Sequence, residues 1–169
     1  DIKCKRLPML KWLNLSYNSL TQLPEKIGKL EMLEKLNVSH NKLKKTVPRE
    51  IGKLSMLKEL DFSHNYIENL PDEMGRLVNL RELRLNHNDV VNLPHTFGLL
   101  KKMTKLNLSY NKLKTLTYTI NKLESLKELD VSNNELIVLR GKISDLKNLE
   151  WLNLSHNSNL RTLPLTKMT

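Results

Sequence analysis

The sequence holds one cysteine, Cys4, in 169 residues. A single thiol excludes an intramolecular disulfide and a zinc site built from several cysteines. Small secreted modules usually depend on disulfides, so this scarcity points toward the cytosol or nucleus. No apolar run approaches the roughly 20 residues a membrane helix needs. The first residues, Asp1 to Arg6, carry charge with no apolar stretch after them, so they do not read as a secretory leader. A phosphate-cradling loop is also missing: Gly28-Lys29, Gly52-Lys53 and Gly141-Lys142 do not follow the G-x-x-x-x-G-K-[ST] spacing. With 39% hydrophobic and 27% charged residues, the chain is nevertheless of folded, soluble composition. Its length suits one domain with a sizeable core.

What fills the sequence is a repeat. Leu10-Lys11-Trp12-Leu13-Asn14-Leu15-Ser16-Tyr17-Asn18 returns in register up to Asn41, Asn65, Asn88, Asn111, Asn134 and Asn157. The seven units start near residues 10, 33, 57, 80, 103, 126 and 149, spaced by 23 residues with one step of 24. The alternation x-L-x-L-x makes a short strand with leucines inward and the intervening residues outward. One strand cannot bury its face alone, so the units stack into a parallel sheet over a shared core. The asparagine stands where the strand ends, and its amide can bond backbone groups of adjacent turns as a buried ladder. Each unit continues as L-P-x-x-I-G-x-L, as in Leu23-Pro24 through Ile27-Gly28 to Leu30. Proline fixes φ there, and glycine is expected to permit a tight turn. The I-x-x-L spacing suits a short helix or 3₁₀ turn on the opposite side. Later units drift: Thr117 and Arg140 replace Pro, and Asn121 and Ser144 replace Gly.

The L-x-x-L-x-L-x-x-N wording over residues 7–165 resembles the leucine-rich repeat family. Its L-P-x-x-I-G-x-L half is similar to the Ras-suppressor and plant intracellular Ras-group-related types. The second unit departs from them: its 24-residue spacing is similar to plant receptor repeats, with Lys45 where those usually carry Gly. The resemblance implies an α/β fold: a right-handed solenoid with a concave parallel sheet and short helical or 3₁₀ segments on the convex side. It also implies a cytosolic scaffold whose partner is another protein, with small GTPases and phosphatase complexes as the candidate classes. The expected organisation is one domain over 1–169, beginning and ending inside a repeat, because neither end shows a polar capping unit. Cys4 falls at the Ile27-equivalent position and is expected to be buried.

The outward positions form three columns, one residue per strand, about 4.8 Å apart. Trp12, Lys35, Glu59, Glu82, Lys105, Glu128 and Trp151 make the first. Asn14, Asn37, Asp61, Arg84, Asn107, Asp130 and Asn153 make the second. Tyr17, His40, His64, His87, Tyr110, Asn133 and His156 make the third. The net charge of +10 raises nucleic acid or anionic membrane as partners. Its placement argues otherwise. The strand face holds nine basic residues (Lys11, Lys35, Lys42, Lys58, Arg81, Arg84, Lys105, Lys112, Lys127) and nine acidic ones (Glu34, Glu59, Asp61, Glu82, Asp89, Glu128, Asp130, Glu135, Glu150). The excess lies elsewhere, whereas a nucleic-acid groove needs it in the lining. Mixed signs fit protein recognition.

The central patch is therefore Glu59, Asp61, Glu82 and Arg84, with Tyr66, His64 and His87 beside it. Trp12 and Trp151 are candidate anchors, because Trp, Tyr and Arg dominate binding hot spots. Tyr17, Lys105 and Tyr110 complete the candidate face. Four histidines in one column suggest zinc or a pH switch, but neighbours in a column need not converge on a tetrahedral centre. Asp61, Ser63 and His64 resemble a triad in composition only, with no third element to orient the base. No metal, cofactor, small-molecule substrate or catalytic residue is expected. Asn14, Asn37, Asn107 and Asn153 begin glycosylation sequons that would block the concave face, which favours a cytoplasmic protein. The competing readings are the recognition segment of a larger enzyme and a receptor-type ectodomain.

Overall fold

The computed structural model describes residues 7–139 and 143–163. Cys4, Arg140, Gly141, Lys142 and Pro164, to which the sequence gives repeat positions, lie outside them. The x-L-x core of each unit forms a three-residue strand: β1 (Trp12–Asn14) and β2 (Lys35–Asn37) come first. Two strands of a separate pair are interleaved with the series, β3 (Lys44–Thr46) and β5 (Tyr66–Asn69). The series continues as β4 (Glu59–Asp61), β6 (Glu82–Arg84), β7 (Lys105–Asn107), β8 (Glu128–Asp130) and β9 (Trp151–Asn153). Seven strands make one sheet in the order β1-β2-β4-β6-β7-β8-β9. Every pairing is parallel and without register shift, so Trp12 faces Lys35, Lys35 faces Glu59, and Glu128 faces Trp151. Leu36, Leu60, Leu83, Leu106 and Leu129 point inward and are buried, while their strand neighbours are exposed or half-buried.

The opposite side of the solenoid is made of 3₁₀ turns, and no α-helix occurs among the described residues. Pro24, Pro48, Pro71 and Pro94 lead in with φ from −73° to −57°. The turns Glu25–Lys29, Arg49–Lys53, Asp72–Arg76 and His95–Leu99 follow. Each buries one large side chain (Ile27, Ile51, Met74, Phe97), and the leucine three residues on is buried too. The glycine in each turn has a reason other than the one the sequence suggests. None of them takes a left-handed φ; what they permit is close approach of the next turn. A Cβ on Gly75 would stand 2.6 Å from Thr96 Cβ and 2.7 Å from its carbonyl oxygen. Where Thr117 replaces Pro and Asn121 replaces Gly, the turn shrinks to Ile120–Lys122, and Asn121 Oδ1 is buried with no hydrogen-bond partner among the described residues.

β3 and β5 form a second, two-stranded parallel sheet that the repeat pattern does not announce. The register shifts there between Lys45 and Thr46, where β5 carries one residue more, Glu68, than β3, and Lys45 has φ 62°. A left-handed φ of this kind is usually given to glycine.

The asparagines form the ladder expected of them. Asn88 Nδ2 donates to the carbonyls of Phe62 (3.0 Å) and Leu85 (3.1 Å), and the Ile67 N–H donates to Asn88 Oδ1 (2.9 Å). Asn41, Asn65, Asn111, Asn134 and Asn157 repeat the arrangement. Each rung ties a turn to the one before it and satisfies backbone groups that the 3₁₀ and strand bonds leave over.

Candidate protein-interaction face

The first two outward columns form the floor of the concave side. Trp12, Lys35, Glu59, Asp61, Glu82 and Arg84 line one shallow cleft. Glu82, Arg84, Lys105, Glu128, Asp130 and Trp151 line the next. The two clefts share the β6 residues, so Trp12 and Trp151 stand at the ends of one continuous floor. Both tryptophans are open to solvent, at 66% and 49% exposure. Lys35, Glu128 and Asp130, which the sequence puts in the columns but not in the central patch, line the floor as fully as the residues chosen for it.

The floor charges are arranged in pairs across strands. Lys35 Nζ meets Glu59 at 2.8 Å, and Lys105 Nζ meets Glu128 at 2.8 Å. Arg84 serves two acids, Glu82 on its own strand and Asp61 on β4 at 3.4 Å. Burial works against the Arg84 charge, but Glu82 and Asp61 outweigh it and hold the guanidinium above its ordinary value. The hydrogen bond to Glu128, with its charge, raises Lys105 in the same way. One rim of the floor has a similar chain, Lys11 and Lys58 on Glu34; the Lys58 hydrogen bond is the main cause that lowers the Glu34 carboxyl. Exposed pairs of this kind contribute little stability individually. Their effect is to fix long side chains in register.

The third column lies beyond the strand ends. Tyr17, His40, His64, His87, Tyr110, Asn133 and His156 all have φ between 52° and 56°, the left-handed region that non-glycine residues rarely enter. This geometry turns five of the side chains into a stack. Tyr17, His40, His64, His87 and Tyr110 lie 4.1–4.2 Å apart, centroid to centroid, with planes within 14° of parallel. The sequence put these residues on the strand face; the structure makes them one wall of it. Burial lowers the His64 imidazole first of all, with His40 and His87 adding to the effect and Asp61 opposing it. Parallel rings do not converge on one point, and among the described residues no cluster of His, Cys, Asp or Glu is gathered as a metal would need.

One grouping drawn from the sequence is corrected. Tyr66 does not sit beside the central patch; it starts β5 on the second sheet, with Lys42, Lys44, Lys45 and Glu68 around it. The Asp61, Ser63, His64 set is no relay. The Ser63 hydroxyl donates to Asp61 Oδ1 at 2.6 Å and the His64 ring is engaged in the stack.

A family model described as a leucine-rich repeat region matches residues 48–165, and one described as a leucine rich repeat matches residues 3–43. The chain belongs to the leucine-rich repeat family. Among solved structures, a leucine-rich repeat protein of Leptospira interrogans is 33% identical with a TM-score of 0.73, over 90% of this chain and 44% of its own. The ectodomain of an Arabidopsis thaliana plant membrane receptor kinase, in complex with Casparian strip integrity factor 2, is 33% identical with a TM-score of 0.76. That match covers 87% of this chain and 18% of the ectodomain. A Listeria monocytogenes internalin, 22% identical with a TM-score of 0.75 over 96% of this chain and 49% of its own, shares the fold. The leucine-rich repeat chain thus spans less than half the length of these relatives. No curated protein matches it.

Proposed function

We propose that this leucine-rich repeat chain binds another protein on the floor of its concave sheet, as a non-enzymatic recognition element of complex assembly or signalling. One observation carries the reading. Two solvent-open tryptophans stand at the two ends of a rigid, in-register floor whose charged side chains are prearranged. Exposed aromatics and Arg on a preorganised surface are what binding hot spots are made of. The finer reading is a cytoplasmic scaffold, with a small GTPase or a phosphatase complex as partner. Its support is the single cysteine and the four sequons whose asparagines stand on the floor strands. A second reading, a receptor-type ectodomain, is favoured by the likeness to a receptor ectodomain solved with a bound factor. Glycosidase treatment of the cell-expressed protein separates them: a mobility shift supports the ectodomain, and none supports the scaffold.

The binding reading is tested by affinity capture, comparing wild type with a Glu59→Lys, Glu82→Lys, Arg84→Glu variant whose fold is checked by circular dichroism. A partner retained by wild type and lost from the variant is the expected result. Identical capture by both removes the floor from consideration.

A further inference from the structure

The balanced charge of the whole strand face conceals a segregation. The two clefts are lined by three cations, Lys35, Arg84 and Lys105, against five carboxylates, Glu59, Asp61, Glu82, Glu128 and Asp130. Every cation is already paired with one of those acids, and Arg84 is shared between two. Asp130 has no cation on it among the described residues; its Oδ1 accepts only the Ser132 N–H, at 3.0 Å. The floor is thus acidic in a chain of net charge +10.

The fold does not need this acidity. At the same repeat position Asn14, Asn37, Asn107 and Asn153 accept the N–H of the serine two residues on, at 2.9–3.1 Å. Asp61 and Asp130 accept it in the same way, at 2.9 and 3.0 Å. An amide oxygen therefore meets the structural need at four strands, and the negative charge at the other two is surplus to the turn.

From this geometry we infer that the occupant of the floor is a basic peptide segment, extended along the solenoid axis, with Lys or Arg side chains four residues apart. The inference rests on the concave-face reading above. Asp61 on β4 and Asp130 on β8 are three strand steps apart, about 14 Å. That is about the span of residues i and i+4 in an extended chain at 3.3 Å per residue. From Trp12 to Trp151 is six steps, about 29 Å, or roughly nine extended residues. The tryptophan faces at the two ends are then placed to receive further cationic or aromatic side chains.

The test is to pan a phage-displayed library of random twelve-residue peptides against the intact chain, then measure synthetic copies of the enriched peptides by fluorescence anisotropy. Enriched sequences should carry Lys or Arg pairs at i and i+4. Their affinity should fall at least tenfold in an Asp61→Asn, Asp130→Asn variant, which keeps both turn hydrogen bonds, and should weaken as salt rises. Peptides without basic pairs that still lose binding in a Trp12→Ala, Trp151→Ala variant would overturn the basic-segment inference and leave the concave-face reading intact. Peptides that bind both variants as well as wild type would overturn that reading as well. A selection that enriches no peptide counts against the extended-segment occupant. Urea titration of each variant separates lost binding from lost fold.

Discussion

The asparagine ladder gives the sharpest quantitative expectation. In an Asn88→Ala variant three partners lose a bond of 3.1 Å or less, and the Asn86 carbonyl loses a longer one at 3.5 Å while keeping the His64 N–H, but the three are not left in the same state. The Phe62 carbonyl keeps the Asn65 amide at 3.0 Å, and the Leu85 carbonyl keeps the Asn111 amide at 2.9 Å. Only the Ile67 N–H, which donates to Asn88 Oδ1, is left buried with no acceptor. Two lost bonds at about 1 kcal/mol each, plus about 1–3 kcal/mol for the orphaned donor, predict a loss of roughly 3–5 kcal/mol. At about 2–4 °C per kcal/mol for a chain of this size, Tm should fall by more than about 6 °C. Asn18→Ala is the control. Among the described residues, that exposed amide bonds its own turn alone, at Leu15 and Ser16, so its loss should stay under about 1 kcal/mol. The doubly substituted Asn88→Ala, Asn111→Ala chain is the stricter test. It strips the Leu85 carbonyl of both amides, so its loss should exceed the sum of the singles by about 1 kcal/mol. Urea titrations at constant slope supply all four values. An Asn88→Ala loss no larger than that of Asn18→Ala, or strict additivity in the double, would refute the shared-acceptor account.

Three more expectations follow from other features. Gly75→Ala places a methyl 2.6 Å from Thr96 Cβ and should cost about 1–3 kcal/mol in urea titration, although its φ is ordinary. Lys45→Gly relieves a left-handed φ of 62° and should raise the unfolding free energy by up to about 1 kcal/mol, read as a higher urea midpoint at unchanged slope. For His64, whose folded pKa is lowered, the unfolded chain takes up the proton first. Stability should therefore be level above neutral pH and decline as pH falls through the ordinary histidine value of about 6.5, until the folded-state value is passed. A His64→Phe variant, which keeps a ring in the stack, should show a shallower decline in thermal melts between about pH 7 and pH 5.

Much of this architecture is legible because period-2 and period-23 patterns are written in the residues themselves. Leu36 and Leu60 must go inside, and Asn41 and Asn65 must find backbone partners there. The misreadings have a common source: they concern backbone geometry that the usual indicator residue does not mark. Glycine normally signals left-handed φ, yet here Tyr17, His40 and Lys45 take it while Gly52 does not. So the ring stack, the left-handed φ at Lys45 and the displacement of Tyr66 to a second sheet are not visible in the pattern. The pairing on the floor is hidden for another reason. Which acid Arg84 reaches depends on side-chain length and rotamer, and repeat alignment specifies only the column.

The unshifted register of the main sheet has a consequence for change over time. Each strand contributes one residue to each column, and no strand carries a bulge that would couple a substitution in one column to the facing of another. A single codon change at position 35, 59, 82, 105 or 128 therefore alters the chemistry of the surface and leaves the backbone register of the steps on either side where it was, although the ion-paired positions 35 with 59 and 105 with 128 answer to one another. Such a face can be rewritten one character at a time, with the ion-paired characters read together. A chain built this way can drift from one partner to another by single substitutions, without passing through an unfolded intermediate sequence.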